Sequence, residues 1–200
     1  MKIIFATGNE AKVKEIREIM CDAEVITMKA AGIDVDPEEN GESFEANALI
    51  KARAVADYVK VNNMTDYADA VVMADDSGLE VDAMDKGPGV HSARWMGHET
   101  GYDVKNQAIL DILGDRPVEE RSARYVCAIA AVLPDGQEKV LRRTMEGYIG
   151  YEPEGTNGFG FDPIFYLQEY GCSAAVITPE QKNAISHRGK ALRAMAEVLG

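Results

Sequence analysis

Apolar and polar positions alternate along this chain in two periods, one suited to strands and one to helices. "KIIFATGN" is an apolar run closed by Gly8-Asn9 and reads as a strand. In the following "EAKVKEIREIM", Val13, Ile16, Ile19 and Met20 recur at helical spacing, so the two segments predict a βα unit. A polar loop, "DVDPEENGES", follows a second short extended piece, and Ser43 is placed to cap a helix whose Phe44, Ala48, Val55, Ala56 and Val59 share a face. "DAVVMADDSG" predicts a strand that ends in a turn, and "LEVDAM" alternates as a separate half-buried strand. After the Gly- and Pro-rich "DKGPGVHSARWMGHETG", residues 102–113 predict a helix closed by Gly114.

"RYVCAIAAVLPDGQEKVLRRTMEGYIG" reads as two strands around a Pro-Asp-Gly turn, and "EPEGTNGFGFDPIF" as a long loop of the kind that carries function. Thr178-Pro179-Glu180-Gln181 opens a short helix with cap, first-turn proline and capping-box residue in place. Ser186-His187-Arg188-Gly189 interrupts it, and a last helix carries Leu192, Met195, Ala196 and Leu199 on one stripe. Strands alternating with helices predict an α/β fold, and the hairpin makes its sheet mixed. The 200 residues read as one domain, with a second lobe near residues 120–170.

Composition narrows the function. With 46% hydrophobic and 28% charged residues the chain is that of an ordinary globular protein. No apolar run approaches the roughly 18 residues that span a bilayer, and the N-terminal "IIFAT" stops too soon for a signal peptide. Cys21, Cys127 and Cys172 are few and far apart, which fits a reducing compartment and predicts a cytoplasmic protein. A formal net charge of −13 argues against a nucleic-acid or anionic membrane partner, while leaving room for a small anionic substrate where cations gather.

The candidate chemistry lies at five places. Thr7-Gly8-Asn9-x-x-Lys12 joins strand to helix, and is either a phosphate cradle or a turn with a surface lysine. Asp75-Asp76-Ser77-Gly78, at the end of the apolar run, is either a capping turn or a carboxylate site for Mg²⁺. Phe159, Phe161 and Asp162 in the glycine-bearing loop suit a nucleobase that stacks on a ring and meets a carboxylate, although two core phenylalanines would give the same pattern. Lys182, His187 and Arg188, near a helix break, read as a donor-rich cluster without carboxylates to neutralise it. Glu38-Glu39, by itself, reads as solvated charge.

Taken in order, Thr7-Gly8-Asn9-x-x-Lys12, Asp75-Asp76-Ser77-Gly78-Leu79, Ser92-Ala93-Arg94, Gly158-Phe159-Gly160-Phe161-Asp162-Pro163-Ile164-Phe165 and Ser186-His187-Arg188-Gly189 give the chain a family resemblance. It resembles the inosine/xanthosine triphosphate pyrophosphatases from residue 2 to the final helix. The resemblance implies two lobes around a deep nucleotide-binding cleft, a homodimer, and Mg²⁺-dependent hydrolysis of a nucleoside triphosphate to the monophosphate and pyrophosphate. It implies that Thr7, Gly8, Asn9 and Lys12 hold phosphates, with Lys12 also serving catalysis, and that Asp76 is metal ligand and base. Ser77, Phe159, Gly160, Phe161, Asp162, Lys182, His187 and Arg188 would contact substrate. Glu39 resembles the family's second metal-binding acid, Lys51 its helix lysine, and Asp75 would support or join the metal site. Phe161 and Trp95 stand where tyrosine is common. Two other readings remain open: a septum-formation-type pyrophosphatase of modified pyrimidine nucleotides, disfavoured by the Ser186-His187-Arg188 cluster, and a nucleotide sensor without turnover.

Overall fold

The structure, a computed structural model, describes residues 1–7 and 10–200. The elements run β1 (Lys2–Phe5), α1 (Glu10–Ile19), β2 (Glu24–Thr27), α2 (Phe44–Val61), β3 (Val71–Val81), α3 (Tyr102–Leu113), β4 (Ser122–Val132), β5 (Glu138–Ile149), β6 (Phe165–Leu167), β7 (Cys172–Ser173), α4 (Pro179–Ile185) and α5 (His187–Leu199). The seven strands form one sheet in the order β2-β1-β3-β4-β5-β6-β7. β1 is parallel to both β2 and β3, whereas β6 is antiparallel to β5 and β7. The fold is therefore a mixed α/β sheet with flanking helices.

The helix signals act as the sequence predicts. Ser43 is extended at φ −139° and its side chain accepts from the Ala46 N–H, which satisfies one of the unpaired donors at the start of α2. Thr178 and Gln181 close a reciprocal capping box with Pro179 in the first turn of α4. The break between the last two helices is narrower than predicted. Ser186 alone is extended, at ψ 151°, and His187, Arg188 and Gly189 already belong to α5.

The largest departure concerns the paired acids. No turn follows Met73; one strand of 11 residues runs from Val71 through Asp75, Asp76, Ser77 and Gly78 to Val81. Asp, Ser and Gly are turn formers only when the backbone lacks better partners, and here they continue a strand inside the sheet. The short strands β6 and β7 carry no signal of their own in the sequence, because three and two residues are too few for a period to show.

The chain divides into two compact units. The first holds residues 1–76, 127–143 and 188–200, and the second holds 77–126 and 144–187. In the first, Ile3, Phe5, Val71 and Met73 pack with Val13 and Ile16 of α1 and Leu192 and Met195 of α5. Ile4 and Val72 pack instead with Val55 and Val59 of α2. Each such burial contributes about 1.5–3 kcal/mol, so a one-residue slip of β3 would exchange its two faces at prohibitive cost. In the second unit Leu79, Ile109, Tyr125, Ile149, Phe161 and Phe165 centre the core.

Candidate active site

Period-2 alternation separates what the sequence places side by side. Odd-numbered residues of the start of β3 face α1 and α5, and even-numbered ones face α2. Asp75 accordingly meets Lys12 of α1, with Nζ 3.0 Å from Oδ1, and Arg188 of α5, with Nε 3.3 Å from Oδ2. Asp76 meets α2: the Asn47 amide donates to its Oδ2 at 3.2 Å and Lys51 Nζ lies 3.4 Å from its Oδ1. The two acids therefore do not converge, and Asp75 stands as counter-ion to two cations. Burial alone would push the Asp75 carboxyl up, but the charges of Lys12, Arg188 and Lys51 outweigh it and hold the group well below the usual carboxylate range. Asp76 moves the other way: burial raises it, Lys51 opposes, and the nearby Glu39 charge raises it further.

Lys51 is the hinge of this arrangement. Its Nζ is 3.2 Å from Glu39 Oε1 as well as 3.4 Å from Asp76, so two carboxylates from a loop and a strand converge on one cation. Burial lowers the Lys51 ammonium, yet Asp76, Asp75 and Glu39 together raise it. A cavity of about 220 Å³ opens here, lined by Thr7, Lys12, Glu39, Lys51 and Asp75 among others. Gly8 and Asn9 lie outside the described residues. Ser77 follows Asp76 in β3 and is half-buried.

In the second unit the glycine-bearing loop splits its two aromatic rings. Phe159 is 69% exposed, whereas Phe161 is 3% exposed and packs edge-on against Tyr102 at 5.2 Å. Phe161 is thus core, and Phe159 is the ring open to a ligand. Asp162 is buried and takes three donors: the Phe159 N–H at 2.8 Å, Lys182 Nζ at 2.5 Å and the Tyr125 hydroxyl at 3.1 Å. Lys182 Nζ also lies 5.1 Å over the Phe159 ring. Asn106 of α3 donates to the Gly160 carbonyl at 3.2 Å. The expectation of a donor cluster without carboxylates is corrected, since Lys182 is paired with Asp162 and Arg188 with Asp75. Sequence adjacency hid these pairs because the acids come from 20 and 113 residues away.

Two residues escaped the sequence reading. Asn47 is fully buried and joins Asp76 to the acidic loop, its Oδ1 accepting from the Gly41 N–H at 2.8 Å. The signal was present: a polar residue three after Phe44 and four before Lys51 sits on the apolar face of α2. Tyr125 is buried on β4 with its ring stacked on His187, 5.0 Å away and 13° from parallel. Nothing in sequence marks it apart from any strand tyrosine.

The arrangement offers two carboxylates converging on one cation, a cavity with a lysine at its wall, and, in the second unit, an exposed ring beside a lysine–carboxylate pair. A Ham1 family profile matches residues 3–198. A dITP/XTP pyrophosphatase of Exiguobacterium sibiricum is 42% identical over 201 residues, covering 100% of this chain and 97% of that protein. One from Clostridium perfringens is 40% identical, with 99% and 97% covered. Among solved structures, the Staphylococcus aureus Ham1 protein superposes with a TM-score of 0.88 at 36% identity, covering 100% of this chain and 98% of its own. A nucleoside-triphosphatase / dITP/XTP pyrophosphatase from Mycobacterium abscessus gives a TM-score of 0.76 at 40% identity, with 98% of each chain covered.

Proposed function

The chain belongs to the Ham1 family, and on that premise we propose that it hydrolyses deaminated purine nucleoside triphosphates (ITP, dITP and XTP) to the monophosphate and pyrophosphate. The observation that carries this reading is the convergence of Glu39 and Asp76 on Lys51, at a cavity that Lys12 also lines. We assign phosphate chemistry to Lys12, Glu39, Lys51 and Asp76, and base recognition to Phe159, Asp162, Lys182 and His187.

The donor set suits Mg²⁺, which binds through one or two carboxylates and otherwise keeps waters and substrate phosphates. Among the described residues no group of three or more His, Cys, Asp or Glu is gathered, and two carboxylates held 3.2 and 3.4 Å from one ammonium have the charge and direction to take a divalent ion. Glu39 and Asp76 would hold it, and it would supply charge neutralisation to the triphosphate in an acidic protein. Lys12 binds the outgoing phosphates. Asp76, raised by burial, accepts the proton of the water that attacks the α-phosphorus as the bond to the β-phosphate breaks. Asn47 orients that carboxylate through its amide.

As part of the same reading, the enzyme works as a homodimer in the cytoplasm and clears these nucleotides from the pool. The three free cysteines favour a reducing compartment. No described helix is long and apolar enough to cross a membrane. The test is pyrophosphate release from ITP, dITP, XTP and ATP, with MgCl₂ and with EDTA. ITP, dITP and XTP should be cleaved in MgCl₂ alone and ATP at least 10-fold more slowly; equal rates for ITP and ATP would defeat the reading.

A further inference from the structure

Tyr125 makes its contacts with the very side chains assigned to the nucleobase. Its hydroxyl donates to Asp162 Oδ1 at 3.1 Å, while the other oxygen of Asp162 takes Lys182 and the Phe159 N–H. One ring face stacks on His187 at 5.0 Å, and Phe165 packs at 4.6 Å, tilted by 50°. The residue is 8% exposed within the apolar core of the second unit. A buried tyrosine is most often packing with an incidentally satisfied hydroxyl, and phenylalanine would fill the same space. Placing a hydroxyl in that core costs free energy unless it is bonded, and the bond it makes is to Asp162.

The geometry limits what Asp162 can do without that bond. A carboxylate turns about its last side-chain torsion, a broad and soft one. With donors on both oxygens the plane is set; with Oδ1 released, rotation carries Oδ2 away from Lys182 and the Phe159 amide. Lys182 in turn lies over the Phe159 ring, so ring and donor lose their common reference. The nearly parallel stack, 13° from coplanar, sets the plane of the His187 imidazole in the same way.

We propose that Tyr125 is the positioning residue for base recognition: its hydroxyl fixes Asp162, and through it Lys182 and Phe159, while its ring fixes His187. The inference rests on the assignment of those four residues to the base. Tyr125→Phe keeps the volume and the stack and removes only the hydroxyl bond; Tyr125→Leu removes both. The measurements are kcat and KM for ITP and ATP, the melting temperature, and the proton chemical shifts of the His187 ring. Tyr125→Phe should raise KM for ITP about 10-fold, with kcat within about 2-fold, and lower the ITP-to-ATP ratio of kcat/KM by a similar factor. Its His187 ring protons should keep their shifts, whereas in Tyr125→Leu they should move downfield as the ring current is lost. A lowered melting temperature with unchanged KM and unchanged ITP-to-ATP ratio in Tyr125→Phe would reduce Tyr125 to core packing and overturn the proposal. Unmoved His187 protons in a folded Tyr125→Leu would overturn it too, and Tyr125→Phe serves alone if that variant does not fold. Absence of pyrophosphate release by the unsubstituted protein strikes the enzymatic reading instead, and the His187 shifts then still decide the positioning.

Discussion

Asp75 and Asp76 are neighbours in sequence that answer to different cations, because a strand turns successive side chains to opposite faces. Their substitutions should therefore fail differently. Asp76→Asn keeps the shape and removes the proposed proton acceptor, and turnover of ITP should fall by about three orders of magnitude at an unchanged melting temperature. Asp75→Asn leaves Lys12 and Arg188 without the charge that compensates them, in a setting where the Asp75 side chain is 2% exposed. Removing one partner of a buried pair costs about 3–5 kcal/mol, so a large drop in melting temperature should come first. Steady-state kinetics and thermal melts on both variants separate the two roles; equal melting temperatures for Asp75→Asn and the unsubstituted protein would refute the assignment of Asp75.

At the scale of elements, the loop after β5 and the short α4 act together to present Phe159 and Lys182. Gly158 has φ +77°, and a Cβ there would fall onto Asp162 Oδ2, the oxygen that Lys182 and the Phe159 N–H share. Gly158→Ala should thus lower kcat/KM for ITP at least 10-fold through KM, while far-ultraviolet circular dichroism stays unchanged. The cap of α4 is a milder lever on the same lysine. Thr178→Ala removes one half of the capping box and should cost about 1 kcal/mol, read as a modest loss of melting temperature. The caps were legible in sequence because capping is local: Ser43, Thr178 and Gln181 act within three residues of themselves. The strand through Asp75-Asp76-Ser77-Gly78 was not, because its turn-forming residues are overruled by a ladder and by cations from other elements, Lys12 at Asp75 and Lys51 at Asp76.

For the whole molecule, stability against pH follows from groups in both units. Against burial, which raises it, the charges of Lys12, Arg188 and Lys51 hold the Asp75 carboxyl well below the ordinary 3.8, and the Arg124 hydrogen bonds first of all hold the Asp82 carboxyl there too. A folded value below the unfolded one contributes stability that is present above pH 3.8 and is lost as pH falls through the folded value. Tyr125 is the reverse case: burial first, then Asp162, raise its phenol well above 10.0, so the stability it adds is present below pH 10.0 and lost as pH rises beyond it. The melting temperature should therefore plateau between about pH 5 and 9 and fall on both sides. Tyr125→Phe should flatten the alkaline fall and Asp82→Asn the acid one, read by melts across pH; unaltered limbs would refute these assignments. The hydrolysis itself should release pyrophosphate and leave orthophosphate at background in a phosphomolybdate assay.

By itself the sequence determined the α/β class, the start of α1, the caps of α2 and α4, the Pro134-Asp135-Gly136 hairpin and the family, since each rests on local periodicity, local hydrogen bonding or short ordered motifs. It named the charged residues of the candidate site without saying which meets which. Only the tertiary structure decided that Asp75 answers Lys12 and Arg188 while Asp76 answers Asn47 and Lys51, that Phe161 turns inward while Phe159 faces out, and that Tyr125 braces Asp162 and His187. The reason is reach. A cap or a period is set by residues a few positions apart, whereas an ion pair or a ring stack joins residues that the chain brings together only after the core has fixed the register of the sheet.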